Sequence, residues 1–219
     1  MAKNGSYIAF FDLDKTLLTI NSSKPLILAS YKNGLLNTRS LAKAIILSII
    51  YKLRLKNPVK ITGLMAKWLK GIPETSVEEL SKKLVQQKLI YRLRPSIVQE
   101  IERHKKQGAL TVILSAALPY VCNPIAHHLG MDDVICSTME IVQGVFTGKP
   151  EGKICIDREK EIRIRQYCLD NSYSLQETYC YGDSYSDRFV LEAAGNPICV
   201  APDQRLRKLS KIKKWSLME

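Results

Sequence analysis

Two aspartates two residues apart, Asp12 and Asp14, follow an unbroken apolar run at residues 7–11 and lead into Lys15 and Thr16. Such a run reads as a strand buried on both faces. Carboxylates at the carboxyl end of that strand are costly to keep ionised, because desolvation and mutual repulsion both oppose charge. A divalent cation offsets both effects, since hard cations take oxygen ligands. An Asx-rich turn explains the same residues without chemistry. Further polar groups downstream favour a site. Ser115 follows the apolar run 109–114, Lys160 lies near the start of a charged helix, and Asp183 and Asp187 follow the run 178–181.

Each of these residues also has a plainer reading. Asp183 and Asp187 can be a turn and a helix N-cap, and Ser115 can simply start the next helix. Lys160 competes with Lys149 and Lys153 in a charged stretch where a solvated lysine is the ordinary case. His104, His127 and His128 read as helix-surface or helix-end residues with no chemistry.

The elements that must position these groups alternate between strand and helix. After the first strand, the next convincing one is at 109–114, about ninety residues later, and the sequence between them reads helical. Helical spacing covers 23–31, 39–55 and 59–69, and Ser76 with Glu79 has the capping-box spacing for a helix toward Leu89. A crossover needs far fewer residues. Residues 17–91 therefore read as a helical insertion, a cap, in a core made of residues 1–16 and 92–219. In that core, helices over about 95–106, 119–129 and 157–169 alternate with strands near 134–137, 178–181 and 197–200. Residues 139–147 form a hairpin-like segment, 148–152 a turn, and the chain ends in a basic, polar tail. The pattern predicts an α/β fold with a doubly wound parallel sheet, whose ligands bind beyond the carboxyl ends of its strands.

Composition is that of a soluble globular protein, with 46% hydrophobic and 25% charged residues. The six cysteines contain no C-x-x-C pair and read as small buried hydrophobes in a reducing compartment. No signal-peptide pattern or membrane-spanning run is present, so the expected location is cytoplasmic. The formal net charge is +12, and residues 17–91 alone hold 13 Lys and Arg against 3 Asp and Glu. Positive charge belongs to the insertion and to the tail, where residues 203–219 carry 6 basic against 2 acidic groups.

Taken together, Asp12-Leu13-Asp14-Lys15-Thr16, Ser115, Lys160 and Gly182-Asp183-x-x-x-Asp187 resemble the four motifs of the haloacid dehalogenase superfamily of phosphohydrolases. The insertion after the first motif resembles its phosphoserine-phosphatase-like branch with a helical cap. The resemblance runs from residue 7 to about 209, and the family's spacing from Gly148 and Gly152 favours Lys160. It implies a Mg2+-dependent phosphomonoester hydrolase working through an aspartyl-phosphate. Asp12 would be the nucleophile, Asp14 the acid and base, and Thr16 part of the same catalytic motif. Ser115, Ala116 and Lys160 would bind the phosphate. Asp12, Asp14 through its carbonyl, Asp183 and Asp187 would hold the metal, Asp187 from behind. One departure bears on substrate. An acidic residue near position 21 recognises the amino group in true phosphoserine phosphatases, and here it is Asn21.

A small anionic phosphorylated metabolite is the expected substrate, attracted by the basic insertion. A phosphate on a lipid headgroup, as in phosphatidylglycerophosphate, is the alternative, because residues 41–56 mix apolar and basic side chains at an anionic membrane surface. The plainer reading, that the helix they form is simply the core of the cap, is the favoured one. A non-catalytic nucleic-acid-binding or regulatory protein is the rival from another class, suggested by the basic tail. It is disfavoured because every catalytic position is filled. Oligomeric state is not legible.

Overall fold

The computed structural model describes residues 6–52 and 66–219. Strand β1 (Ile8–Phe11) is buried along its whole length and is followed at once by a wide turn over Leu13–Leu17. Helices α1 (Ser23–Lys32), α2 (Thr38–Lys52) and α3 (Glu74–Leu84) come next, with a 3-10 turn at Ala66–Leu69. Helix α4 (Pro95–Lys106) opens with proline at its first position, where the missing N–H costs nothing, and leads to β2 (Leu110–Leu114). Helix α5 (Pro119–His128), β3 (Asp133–Ile135), and the antiparallel pair β4 (Thr138–Val142) and β5 (Val145–Glu151) follow. The chain closes with α6 (Arg158–Asp170), β6 (Tyr179–Gly182), α7 (Arg188–Ala193), β7 (Asn196–Val200), α8 (Gln204–Lys213) and β8 (Ser216–Met218).

Six strands form one parallel sheet in the order β3-β2-β1-β6-β7-β8. Because side chains alternate across a strand, β1 serves two cores. Ala9 and Phe11 join Ile97 and Ile101 of α4 and Val121 and Ile125 of α5. Ile8 and Phe10 join Ile164 and Cys168 of α6, Leu191 of α7 and Leu206 of α8. This is the doubly wound α/β fold expected from the alternation, with β1 at its centre.

The helical segment after β1 leaves and rejoins the sheet along one path. Leu18 bridges Leu93 antiparallel, Thr19 N donates to Arg92 O at 2.7 Å, and Arg94 N donates to Leu17 O at 2.8 Å. Its far side is tied to the β4–β5 hairpin: Gly71 N donates to Phe146 O, and Phe146 N to Ile72 O. There Leu69, Ile72 and Val77 bury against Met139 and Phe146. Among the described residues, no helix is long and apolar enough to cross a membrane.

Several expected details change. Residues 203–219 are not a tail but a helix and an edge strand, because Asp203 caps α8 by accepting from Arg205 N and Leu206 N. Residues 148–151, expected in a turn, continue β5, with Gly148 at positive φ inside it. Helix α3 starts at Glu74 behind Pro73, so Ser76 lies inside the helix instead of capping it. Most of the helix expected at 59–69, and the end of that at 39–55, lie outside the described residues. His104, expected at a surface, is fully buried under the sheet.

Candidate active site

The register of the parallel strands gathers the polar groups. Phe11 stands opposite Ile113 on one side and Tyr181 on the other. Asp12, Ser115 and Asp183 therefore emerge from the carboxyl ends of three adjacent strands, where ligands of such sheets bind. Beyond Asp12 the chain makes a wide turn, closed by Leu17 N to Asp12 O at 3.2 Å and Leu18 N to Leu13 O at 2.8 Å. Lys15 takes a left-handed conformation, φ 65°, at its apex. The turn carries Asp14 back toward α1, and its Oδ1 accepts from Ser22 N at 2.7 Å.

Lys160 lies in the first turn of α6, buried to 4% exposure, and its ammonium bridges two carboxylates. Nζ donates to Asp12 Oδ1 at 2.7 Å and to Asp187 Oδ1 at 2.7 Å. Lys153 and Lys149 are exposed, so of the three candidates only Lys160 enters the cluster. The other carboxylate oxygen of Asp187 accepts from Ser184 N at 3.1 Å and Ser184 Oγ at 3.0 Å, a reciprocal capping box. Gly182 makes room for it: a Cβ at that position would lie 2.9 Å from Asp187 Cβ.

Carboxylate oxygens of Asp12, Asp183 and Asp187 lie within 4.8 Å of one another, all buried. One lysine does not balance them. Burial pushes Asp12 up to about 7 against the pull of Lys160, and pushes Asp183, further raised by Asp12 and Asp187, up to about 9. Burial also raises Asp14, opposed by its hydrogen bonds with Ser22. On Lys160 burial works to remove the proton, but Asp12 and Asp187 outweigh it and hold its pKa well above the ordinary lysine value. A compact set of buried carboxylate oxygens short of positive charge fits a hard divalent cation such as Mg2+. Asp14 stands apart from the trio, its carboxyl turned to Ser22.

The remaining expected residues surround this centre. Ser115 is buried, and its Oγ accepts from Ala117 N at 3.1 Å, ordering the turn through half-buried Ala116. Asn21 turns its side-chain oxygen to Ser23 N at 3.1 Å, so it supports the first turn of α1. Thr16 is fully buried, and its hydroxyl has no hydrogen-bond partner among the described residues.

Three supporting residues were not singled out from the sequence. Arg94 donates from Nε to Thr16 O at 3.1 Å and from Nη2 to Lys15 O at 2.9 Å, clamping the turn after Asp14. Ser22 donates its backbone N–H to Asp14, a bond that no side-chain pattern reveals. Asp203 accepts from Tyr185 N at 3.1 Å, while its own N–H donates to Asp183 O at 2.8 Å, pinning the Asp183 loop to the start of α8. Its position before a helical stripe was the available signal.

A sequence model described as haloacid dehalogenase-like hydrolase matches residues 9–192. A protein of Mycobacterium tuberculosis named a probable phosphatase is 29% identical over 96% of this chain and 74% of its own. A histidinol-phosphatase of Neisseria meningitidis is 25% identical over 96% of this chain and 97% of its own. The fold is also that of a phosphoserine phosphatase solved as a phospho-aspartyl intermediate analogue, with TM-score 0.71 and 18% identity over 98% of this chain and 93% of that one. These matches agree with the phosphatase reading of the motifs. With its family model spanning most of the sequence, the chain belongs to the haloacid dehalogenase-like hydrolases.

Proposed function

We propose that this phosphatase hydrolyses a small phosphate monoester in two displacements at Asp12. In the first, the Asp12 carboxylate attacks phosphorus, the ester P–O bond breaks, and Asp14 gives its proton to the departing oxygen. In the second, water attacks the aspartyl-phosphate, Asp14 takes the proton, and phosphate leaves with Asp12 restored. Burial raises the pKa of Asp14 against the pull of its hydrogen bonds with Ser22, the direction that favours its role as a proton donor. Lys160, Ser115 and the N–H groups around Ala116 and Ala117 would hold the phosphoryl oxygens, whose charge must be met in the transition state.

Asp12, the Asp14 carbonyl and Asp183 would hold Mg2+, with Asp187 steadying the set from behind through Lys160 and Ser184. When bound, the ion supplies positive charge to the phosphoryl oxygens and keeps the buried carboxylates ionised. The observation that carries this reading is the buried trio Asp12, Asp183 and Asp187 with Lys160 in its midst.

Residues 17–91 act as a cap on a core made of 1–16 and 92–219. The paired connections at Leu18 and Leu93, and the Ser22 bond to Asp14, support this by placing the start of the helical segment at the site. The substrate is a small phosphorylated metabolite. Phosphoserine itself is disfavoured, since Asn21 offers no negative charge for an amino group. Turnover of an aryl phosphate tests the reading: activity requires Mg2+, is lost to a chelator, and is absent in Asp12→Asn. Activity in that variant overturns it.

A further inference from the structure

The outward stripes of α1 and α2 mix apolar and basic side chains. On α1, Leu28 (49% exposed) and Tyr31 (39%) share a stripe with exposed Lys24 and Lys32. On α2, Ile46 (56% exposed) shares a stripe with exposed Arg39 and Lys43, and Ile45 (49%) is exposed on the flank beside it. The core of this pair uses other residues, Ile27, Leu36 and Ala44, with Leu41 and Trp68 against them. The exposed aliphatics are therefore not what holds the two helices together. No Asp or Glu occurs between Asp14 and Glu74, a stretch that contains eleven Lys and Arg.

We propose that the α1–α2 face is a peripheral docking surface for an anionic lipid bilayer. Charge complementarity selects the occupant. A helix face with cations and no acids is drawn to anionic headgroups, and its aliphatic side chains gain by burial at the acyl boundary. A second copy of the chain would set like charges against each other. Nucleic acid would use the cations but not Leu28, Ile45 and Ile46, since bases stack on aromatic rings and not on aliphatic chains. The contact lies on the surface, because no helix among the described residues is long and apolar enough to span. Ser22, immediately before α1, is bonded to Asp14, so the helix that carries part of this face starts at the acidic site. The proposal stands whether the substrate is lipid or soluble.

Co-sedimentation of the full chain with vesicles tests it, using phosphatidylcholine alone and phosphatidylcholine mixed with phosphatidylglycerol. Binding is expected only to the mixed vesicles, at low salt, with release at high salt. The double variant Ile45→Ser/Ile46→Ser should weaken it by about tenfold, with aryl-phosphate turnover unchanged. The charge reversal Arg39→Glu/Lys43→Glu, at exposed positions, should weaken it at least as much and serves if the isoleucine variant fails to fold. Absence of low-salt binding to the mixed vesicles overturns the proposal. So does binding that depends on Arg39 and Lys43 but not on the isoleucines and is competed by a single-stranded oligonucleotide. Self-association removed by the isoleucine substitutions, without vesicle binding, also overturns it.

Discussion

The ammonium of Lys160 lies 2.7 Å from Asp12 Oδ1, and the same nitrogen reaches Asp187 at 2.7 Å. It is the cation printed into the centre of an acidic cluster by the chain itself. Removing one partner of a buried ion pair leaves uncompensated charge and costs roughly 3–5 kcal/mol. Lys160→Met should lower aryl-phosphate turnover by at least about a hundredfold. Its urea midpoint should also fall, and Mg2+ should restore part of the loss because it supplies charge to the same carboxylates. Turnover within about twofold of the native chain would exclude a phosphate-binding role for this lysine.

Gly182 and Gly195 make a contrasting pair. A Cβ at Gly182 would meet Asp187 Cβ at 2.9 Å and its Oδ2 at 3.1 Å, so Gly182→Ala pushes on the carboxylate that holds Lys160. At Gly195 it would meet the backbone oxygen of Gln176 at 1.8 Å, where no side chain can yield. Gly182→Ala is expected to lose about tenfold in turnover for about 1–2 kcal/mol of stability. Gly195→Ala should cost about 3 kcal/mol or more. Urea unfolding and steady-state kinetics on the two variants check the difference.

Arg94 holds the carbonyls of Lys15 and Thr16 and touches neither Asp12 nor Asp14 among the hydrogen bonds of the structure. It is a positioning residue. Arg94→Ala should reduce kcat by about ten- to hundredfold with little change in KM, since small misplacements of reacting groups are costly. Equal losses in Arg94→Ala and Arg94→Lys would match a bidentate clamp, whereas full retention of kcat in Arg94→Ala contradicts it.

His104 links pH to stability away from the site. Its ring lies between Tyr7 Oη at 2.9 Å and Tyr181 Oη at 2.8 Å. Burial, and then the charge of Arg103, lower its pKa from 6.5 to about 4, with Glu100 opposing. Between those values the unfolded chain binds a proton that the folded chain refuses, so stability falls as pH drops through that window. Below about 4 the contribution is exhausted, and its total is roughly 3 kcal/mol at most. Urea midpoints across the acid range, compared with His104→Gln, isolate it from the carboxylates. The native chain should lose more stability than the variant on acidification.

The strand ends were legible because physics leaves few alternatives for them. An apolar run closing on Asp12, and later runs closing on Ser115 and Asp183, must end side by side once the strands are parallel. Lys160 was harder to choose, because Lys149, Lys153 and Lys160 share one charged stretch and only packing decides which is buried. Helix α8 was hidden by its charge, since its five Lys and Arg mask a stripe whose buried members are only Leu206 and Ser210, and β8 is only three residues long. Ser22 and Arg94 act on or through backbone atoms, which leave no side-chain signature. His104 looked like a helix-end residue because the tyrosines that bury it, Tyr7 just before β1 and Tyr181 in β6, are 97 and 77 residues away in sequence.

The most direct measurement is acid quenching of the enzyme during turnover, followed by peptide mass spectrometry. One phosphoryl group is expected on the Asp12 side chain, present in the native chain with Mg2+ and absent in Asp12→Asn. Turnover with no phosphorylated Asp12 at any quench time, or with the label on another residue, would contradict the two-step account.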